Sequence, residues 1–130
     1  MPKRLAFCCA VLLFTLIGSA AFAQGIKRTV LAKIEFPDHY TTVTAIAEVA
    51  PGMTAARHTH PGIETAYILE GEGDLHVEGQ PERRVKAGDS FQIVNAAPHD
   101  LRNVSSDKPL KVLSTYITER DKPLAIPAPK

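Results

Sequence analysis

Cysteine is all but missing from this chain: Cys8 and Cys9 are the only two in 130 residues, and both lie at its start. From Gln24 onward no thiol is available, which excludes disulfides, thiol catalysis and thiolate metal ligands from that part. Charge of one sign is also scarce. The formal net charge is +1, and the nearest thing to a charge run is Glu82-Arg83-Arg84. A nucleic-acid binder needs a basic face to neutralise phosphates, and a membrane-surface protein needs a basic amphipathic helix. Neither pattern occurs, so no nucleic-acid or membrane partner is expected for the mature chain. There is also no phosphate-cradling glycine loop, no dinucleotide fingerprint and no nucleophile triad.

What stands apart is the beginning. Lys3 and Arg4 precede an apolar run over residues 5–17, and small residues follow, ending in Ala21-Phe22-Ala23 before Gln24. This three-part layout predicts a secretory signal peptide over residues 1–23 with an A-x-A cleavage site. The apolar run falls short of the ~20 residues that span a bilayer, which argues against an anchor. No cysteine follows the small residues, which argues against a lipoprotein. Cleavage would leave residues 24–130 as one domain of 107 residues with a net charge of −1, periplasmic or secreted. Both cysteines would leave with the signal, as suits an oxidising compartment.

From Gln24 onward there is no sustained 3.6-residue periodicity. Short apolar runs alternate with Gly, Pro and Asp at regular intervals, the pattern of an all-β sandwich or barrel. Strands are expected over residues 29–36, 42–49, 55–60, 64–70, 74–78, 82–86, 90–94, 99–103 and 110–118. The connections Pro51-Gly52, Pro61-Gly62, Gly71-Glu72-Gly73, Gly79-Gln80-Pro81 and Ala87-Gly88-Asp89 carry turn chemistry, and Asp107-Lys108-Pro109 closes the last hairpin. The tail over 122–130 is rich in proline and is expected to be extended.

His58-Thr59-His60 carries the chemistry. Side chains alternate along a strand, so His58 and His60 share a face. Pro61-Gly62 then turns the chain, and a hairpin partner would bring Glu64 alongside. His99 follows Ala97-Pro98 at the head of a later strand. Three imidazoles and a carboxylate form a mixed N/O donor set suited to Fe, Mn, Ni, Cu or Zn rather than Ca or Mg. Two solvated histidines would give the same tripeptide, so the pair alone leaves the question open. Alternation places His76 with Asp74 and Glu78 on a solvated face, and His39 in a surface turn. It also places Thr54 and Ala56 inward with His58 and His60, Ala66 and Ile68 with Glu64, and Leu101 and Asn103 with His99. That lining, small and apolar with few charges beside the donors, suits a modest uncharged ligand and equally an ordinary barrel core.

The spacing narrows the reading. Gly52, His58, His60, Glu64 and Gly71 occupy every fixed position of the first cupin signature, and Gly88, Asp89, His99 and Asn103 follow as the second. The chain resembles a small single-domain bacterial cupin of the quercetin-dioxygenase-like kind. In the second signature Val94 and Ala96 stand where the family usually has proline and glycine. The resemblance implies a double-stranded β-helix (jelly-roll) barrel and one divalent transition metal held by His58, His60, Glu64 and His99. It further implies a homodimer, with the segment Ile26–Phe36 laid against the partner's sheet. Cupins include dioxygenases, isomerases, lyases, decarboxylases and non-enzymatic binders, so the fold does not select a reaction. The first expectation is a metal-dependent oxidoreductase of the dioxygenase type acting on a small organic substrate. The alternatives are a periplasmic ligand-binding module and a metal-dependent lyase or isomerase.

Overall fold

The structure is a computed structural model that describes residues 25–36 and 39–129; the expected signal peptide lies outside the described residues. The described chain is all β, ten strands in two five-stranded antiparallel sheets. They are β1 (Ile26–Phe36), β2 (Tyr40–Val49), β3 (Thr54–Thr59), β4 (Gly62–Glu70), β5 (Glu72–Val77), β6 (Arg83–Lys86), β7 (Ser90–Ile93), β8 (His99–Asn103), β9 (Leu110–Glu119) and β10 (Ile126–Pro127). The first sheet runs β1-β2-β9-β4-β7 and the second β10-β3-β8-β5-β6. Successive strands from β3 onward mostly change sheet, which is the double-stranded β-helix of a jelly-roll barrel.

Alternation explains the packing. On β2 every second residue from Thr41 to Val49 is buried, and on β9 the same holds from Leu110 to Thr118. Pairing aligns these rows: Ala47 faces Val112, which faces Ile68; Ala45 faces Ser114, which faces Ala66. The second sheet contributes Ala55, Leu75, Val77, Val85 and Leu101, and the two inner faces close one core with Val49, Ile93 and Leu110. Each fully buried Ile or Leu stabilises the fold by about 2 kcal/mol.

Three expectations are corrected. Strand β3 does not pair with β4. The Pro61-Gly62 step carries the chain from one sheet to the other, so that the two strands face each other across the interior. Gly62 is needed there, because a Cβ would collide with the Ile117 carbonyl. Second, Thr54 and Ala56 do not share the inner face with the histidines: Ala55 is buried and Ala56 is exposed. The cause is a β-bulge. Ala55 pairs with Leu101 and His58 with His99, three residues against two, so the extra residue reverses the alternation. Third, Asp74 is not solvated. It is buried under Arg84 and Arg102, whose guanidiniums bond its two carboxylate oxygens at 2.6 and 2.8 Å and hold it below the usual carboxylate range, Arg102 foremost.

The tail is extended, and Ile126-Pro127 adds a tenth strand against His58-Thr59. Asn103, the last residue of the second signature, is a structural clasp. Its buried amide donates to the carbonyls of Val49, Ala50 and Lys108 at 2.8 to 3.2 Å and accepts from the Ser105 N–H at 2.9 Å.

Candidate metal centre

His58, His60 and His99 meet inside the barrel. Their ring centroids lie 4.3 to 5.0 Å apart, and one donor atom from each falls within 4.8 Å of the others. His58 lies near the end of β3, beyond the bulge, His60 directly follows the strand, and His99 heads the paired strand β8. His60 and His99 are buried, at 1% and 3% exposure, and His58 is partly so.

Backbone carbonyls decide which nitrogen of each ring is free. The Nδ1 of His58 bonds the Ala56 carbonyl at 2.7 Å, that of His60 the Leu124 carbonyl at 2.6 Å, and that of His99 the Ala97 carbonyl at 2.9 Å. A carbonyl can only accept, so each Nδ1 carries the hydrogen and each neutral ring keeps a lone pair at Nε2. This is how metal-binding imidazoles are held. The Nε2 of His60 is buried without a hydrogen-bond partner, a costly state that a cation would relieve.

Glu64 arrives from the opposite sheet. Its Oε2 lies 3.1 Å from His60 Nε2 and 3.5 Å from His99 Nε2, and its Oε1 accepts from Ser114 Oγ at 2.7 Å. Ser114 is reachable because Glu64 pairs directly with Tyr116 on β9, two residues on. Burial alone would push the Glu64 carboxyl up. The His60 and His99 imidazoles and the Ser114 hydroxyl outweigh burial and hold it well below the usual carboxylate range. A carboxylate facing two nitrogen lone pairs requires a positive charge between them, either a proton or a metal ion. The three imidazoles thus fit a divalent metal in donor type and proximity, with the Glu64 carboxylate beside two of them.

The surroundings keep the His58 imidazole neutral. His58 is lowered to about 4, first by burial, then by His99, with His60 and Arg28 adding and the Ala56 carbonyl opposing. Tyr116 packs its ring 4.9 Å from His60, and burial with the Glu64 charge pushes its hydroxyl up to about 12.

Sequence reasoning did not single out Ser114, Leu124 or Arg28. Ser114 is the small hydroxyl within an apolar inward row (Leu110, Val112, Tyr116), a pattern the sequence displays. Leu124 acts through its backbone and leaves no such trace. Arg28 lines the same cavity as His58, Glu64 and His99, so the lining carries a cation where few charges were expected. His76 sits outside the cluster, on the outer side of β5, its side chain 44% exposed and bonded to Asp100 at 3.3 Å. His39 is exposed in a turn.

Ala96 settles the course of the loop before His99. It adopts φ = 60°, a left-handed conformation, and its N–H donates to the His60 carbonyl at 3.1 Å. The backbone keeps the path that a glycine would take although the residue is alanine.

Comparison with known proteins agrees with this fold. No curated protein matches the chain. Among solved structures, the DMSP lyase DddQ from Ruegeria pomeroyi superposes with a TM-score of 0.68 at 24% identity, over 83% of this chain and 54% of that one. This chain therefore spans about half the length of that lyase. An uncharacterized conserved protein with a double-stranded β-helix domain from Klebsiella pneumoniae gives 0.65 at 20% identity, over 82% and 87%. The polyketide cyclase RemF from Streptomyces resistomycificus gives 0.61 at 23% identity, over 77% and 70%. At such identities the likeness is one of fold. A family model described as Cupin domain matches residues 45–116, more than half of the chain and all four donors, and the chain belongs to the cupin family.

Proposed function

We propose that this protein is an exported, metal-dependent cupin that holds one divalent transition metal through His58, His60, Glu64 and His99 and transforms a small organic molecule beside it. The observation that carries this reading is the cluster of three imidazoles, each with Nδ1 pinned by a carbonyl, with the Nε2 atoms of His60 and His99 facing the Glu64 carboxylate. Four protein donors leave one or two positions open in a five- or six-coordinate ion, as a catalytic site needs.

The bound metal supplies Lewis acidity or, where redox-active, electron transfer to oxygen. The chain does the rest. The carbonyls of Ala56, Leu124 and Ala97 fix the rings, so the donor geometry is set before anything binds. The walls formed by Ala47, Val49, Leu75, Phe91 and Val112 keep bulk water from the reacting groups. Glu64, held ionised with one oxygen on Ser114, balances the cation and can accept a proton through its second oxygen. The mixed N/O donor set suits redox-active metals, which favours an oxidoreductase of the dioxygenase type. A lyase or isomerase is the second reading, favoured by the ionised Glu64 at the cavity wall and by fold neighbours named as a lyase and a cyclase. A binding module without turnover would share the site and differ only in retaining its ligand unchanged.

Metal analysis of protein taken from its native compartment tests this reading. We expect close to one transition-metal ion per chain on a protein beginning at Gln24 by mass spectrometry. His58→Ala, His60→Ala and His99→Ala should lose it and Glu64→Gln should weaken it, while His76→Ala keeps it. Metal retained in the His58, His60 and His99 single variants, or lost in His76→Ala, would overturn the assignment. Substrate-dependent oxygen uptake then separates the dioxygenase from the oxygen-independent reactions.

A further inference from the structure

Arg28 is the one strong charge in the cavity that the proposed metal centre does not use. Pairing of β1 with β2 sets Arg28 opposite Ala47 and Ile26 opposite Val49, so both join the inward-facing row. Arg28 lines the same cavity as His58, Glu64, His99 and Tyr116, and also the adjoining depression bounded by Ala125 and Pro127 of the tail. Its Nε is buried and donates no hydrogen bond, and among the described residues no carboxylate lies within ion-pair distance of its guanidinium. The Tyr116 hydroxyl is a polar neighbour in the cavity, and His58 lies near enough to feel the Arg28 charge. A partly buried guanidinium without an anion is expensive to keep, and it is built to receive a planar two-oxygen group.

We infer that Arg28 is the anion-recognition residue of this site and that the molecule bound beside the metal centre is a small organic carboxylate. The inference rests on the metal-centre reading and specifies its substrate class. The cavity is small, about 30 Å³, and the adjoining depression that Arg28 and His58 also line adds about 150 Å³, which limits the ligand to a few carbon atoms. Its apolar walls (Ile26, Val49, Ala55) match a short hydrocarbon body, and the lining that Arg28 shares with His58, Glu64 and His99 sets such a ligand beside the centre. A monoanion fits better than a phosphate. Only one cation lines the cavity, no backbone nest or helix terminus adds donors, and the Glu64 carboxylate repels a second negative charge.

The test uses cobalt(II)-loaded protein, whose visible absorption bands report the metal's surroundings, titrated with pyruvate, the neutral pyruvamide and inorganic phosphate. We expect pyruvate to shift the bands saturably, with phosphate and pyruvamide at least tenfold weaker. Arg28→Gln should weaken pyruvate at least tenfold and leave pyruvamide unchanged, Arg28→Lys should restore part of the loss, and metal content should stay near one per chain in both. Equal pyruvate binding in Arg28→Gln, or pyruvamide binding as tightly as pyruvate, overturns the role of Arg28. Phosphate binding more tightly than pyruvate overturns the carboxylate assignment. Failure of the wild-type protein to take up cobalt at all is a separate result, one that removes the metal-centre reading itself.

Discussion

Replacing Ala96 by glycine should stabilise the protein. Ala96 stands at φ = 60° in the loop that delivers His99. A left-handed conformation costs an L-residue with a Cβ about 1–2 kcal/mol, and glycine removes that cost. Glycine gains back about 0.4–1 kcal/mol of unfolded-chain entropy, which opposes the benefit. The net gain is about 0.5–1 kcal/mol, or roughly 3–5 °C in melting temperature for a domain of this size. Two substitutions bracket the argument. Ala96→Val puts a β-branched side chain into the same conformation and should destabilise by more than 1 kcal/mol. Ala97→Gly, at a neighbour without positive φ that packs on the core, should also destabilise, by about 1 kcal/mol. Thermal melts of the metal-free proteins at pH 7.5 measure all three, so that metal binding does not enter. If Ala96→Gly melts at or below the wild type while Ala96→Val is neutral, the loop does not hold the conformation described and the account of how His99 is presented fails.

Asn103→Leu keeps the volume of the clasp but strands the carbonyls of Val49 and Lys108 and the Ser105 N–H. We expect a loss of about 2–4 kcal/mol in urea unfolding, and a loss below 0.5 kcal/mol would show that water takes over these bonds. Acid should destabilise the metal-free protein in a defined window. His58 titrates at about 4 when folded and 6.5 when unfolded, so the unfolded chain binds more protons between those values. The stability contribution is therefore complete above pH 6.5 and falls by on the order of 2 kcal/mol as pH drops toward 4; His58→Gln should flatten that slope in melts run from pH 7.5 to 4.5. The outer face of the first sheet carries Ile63, Tyr67, Leu69 and Ile117, each 41–47% exposed, and a homodimer would cover them. Sedimentation at micromolar concentration should give the mass of two chains, and Tyr67→Glu with Ile117→Glu the mass of one; a single-chain mass for the wild type refutes the pairing.

Much of this molecule is legible in the residue pattern. Period-two alternation on β2, β4 and β9, with Gly and Pro at the reversals, requires half-buried strands and hence an all-β core. Eight expected strands begin or end within a residue or two of the observed ones, and β8 coincides. Strand β1 starts at Ile26, three residues before the expected boundary at 29, and those three residues include Arg28. The donor residues were visible because imidazole and carboxylate at fixed spacing are local facts. What the sequence could not express is everything set by contacts between distant segments. A bulge depends on the partner strand, so the exchange of Ala56 for Ala55 on the inner face became visible only when β3 met β8. Whether Pro61-Gly62 closes a hairpin or crosses between sheets depends on which strand offers an unpaired edge, and β9 and β7 took the two edges of β4. The choice of Nε2 on His60 rests on a carbonyl 64 residues away at Leu124, a backbone atom with no residue-type signature. Nothing in the sequence singles out Arg28, and only the pairing of β1 with β2 turns it into the cavity. Alternation assigns each side chain to one of two faces; which face becomes the interior is decided by the sheet that packs against it.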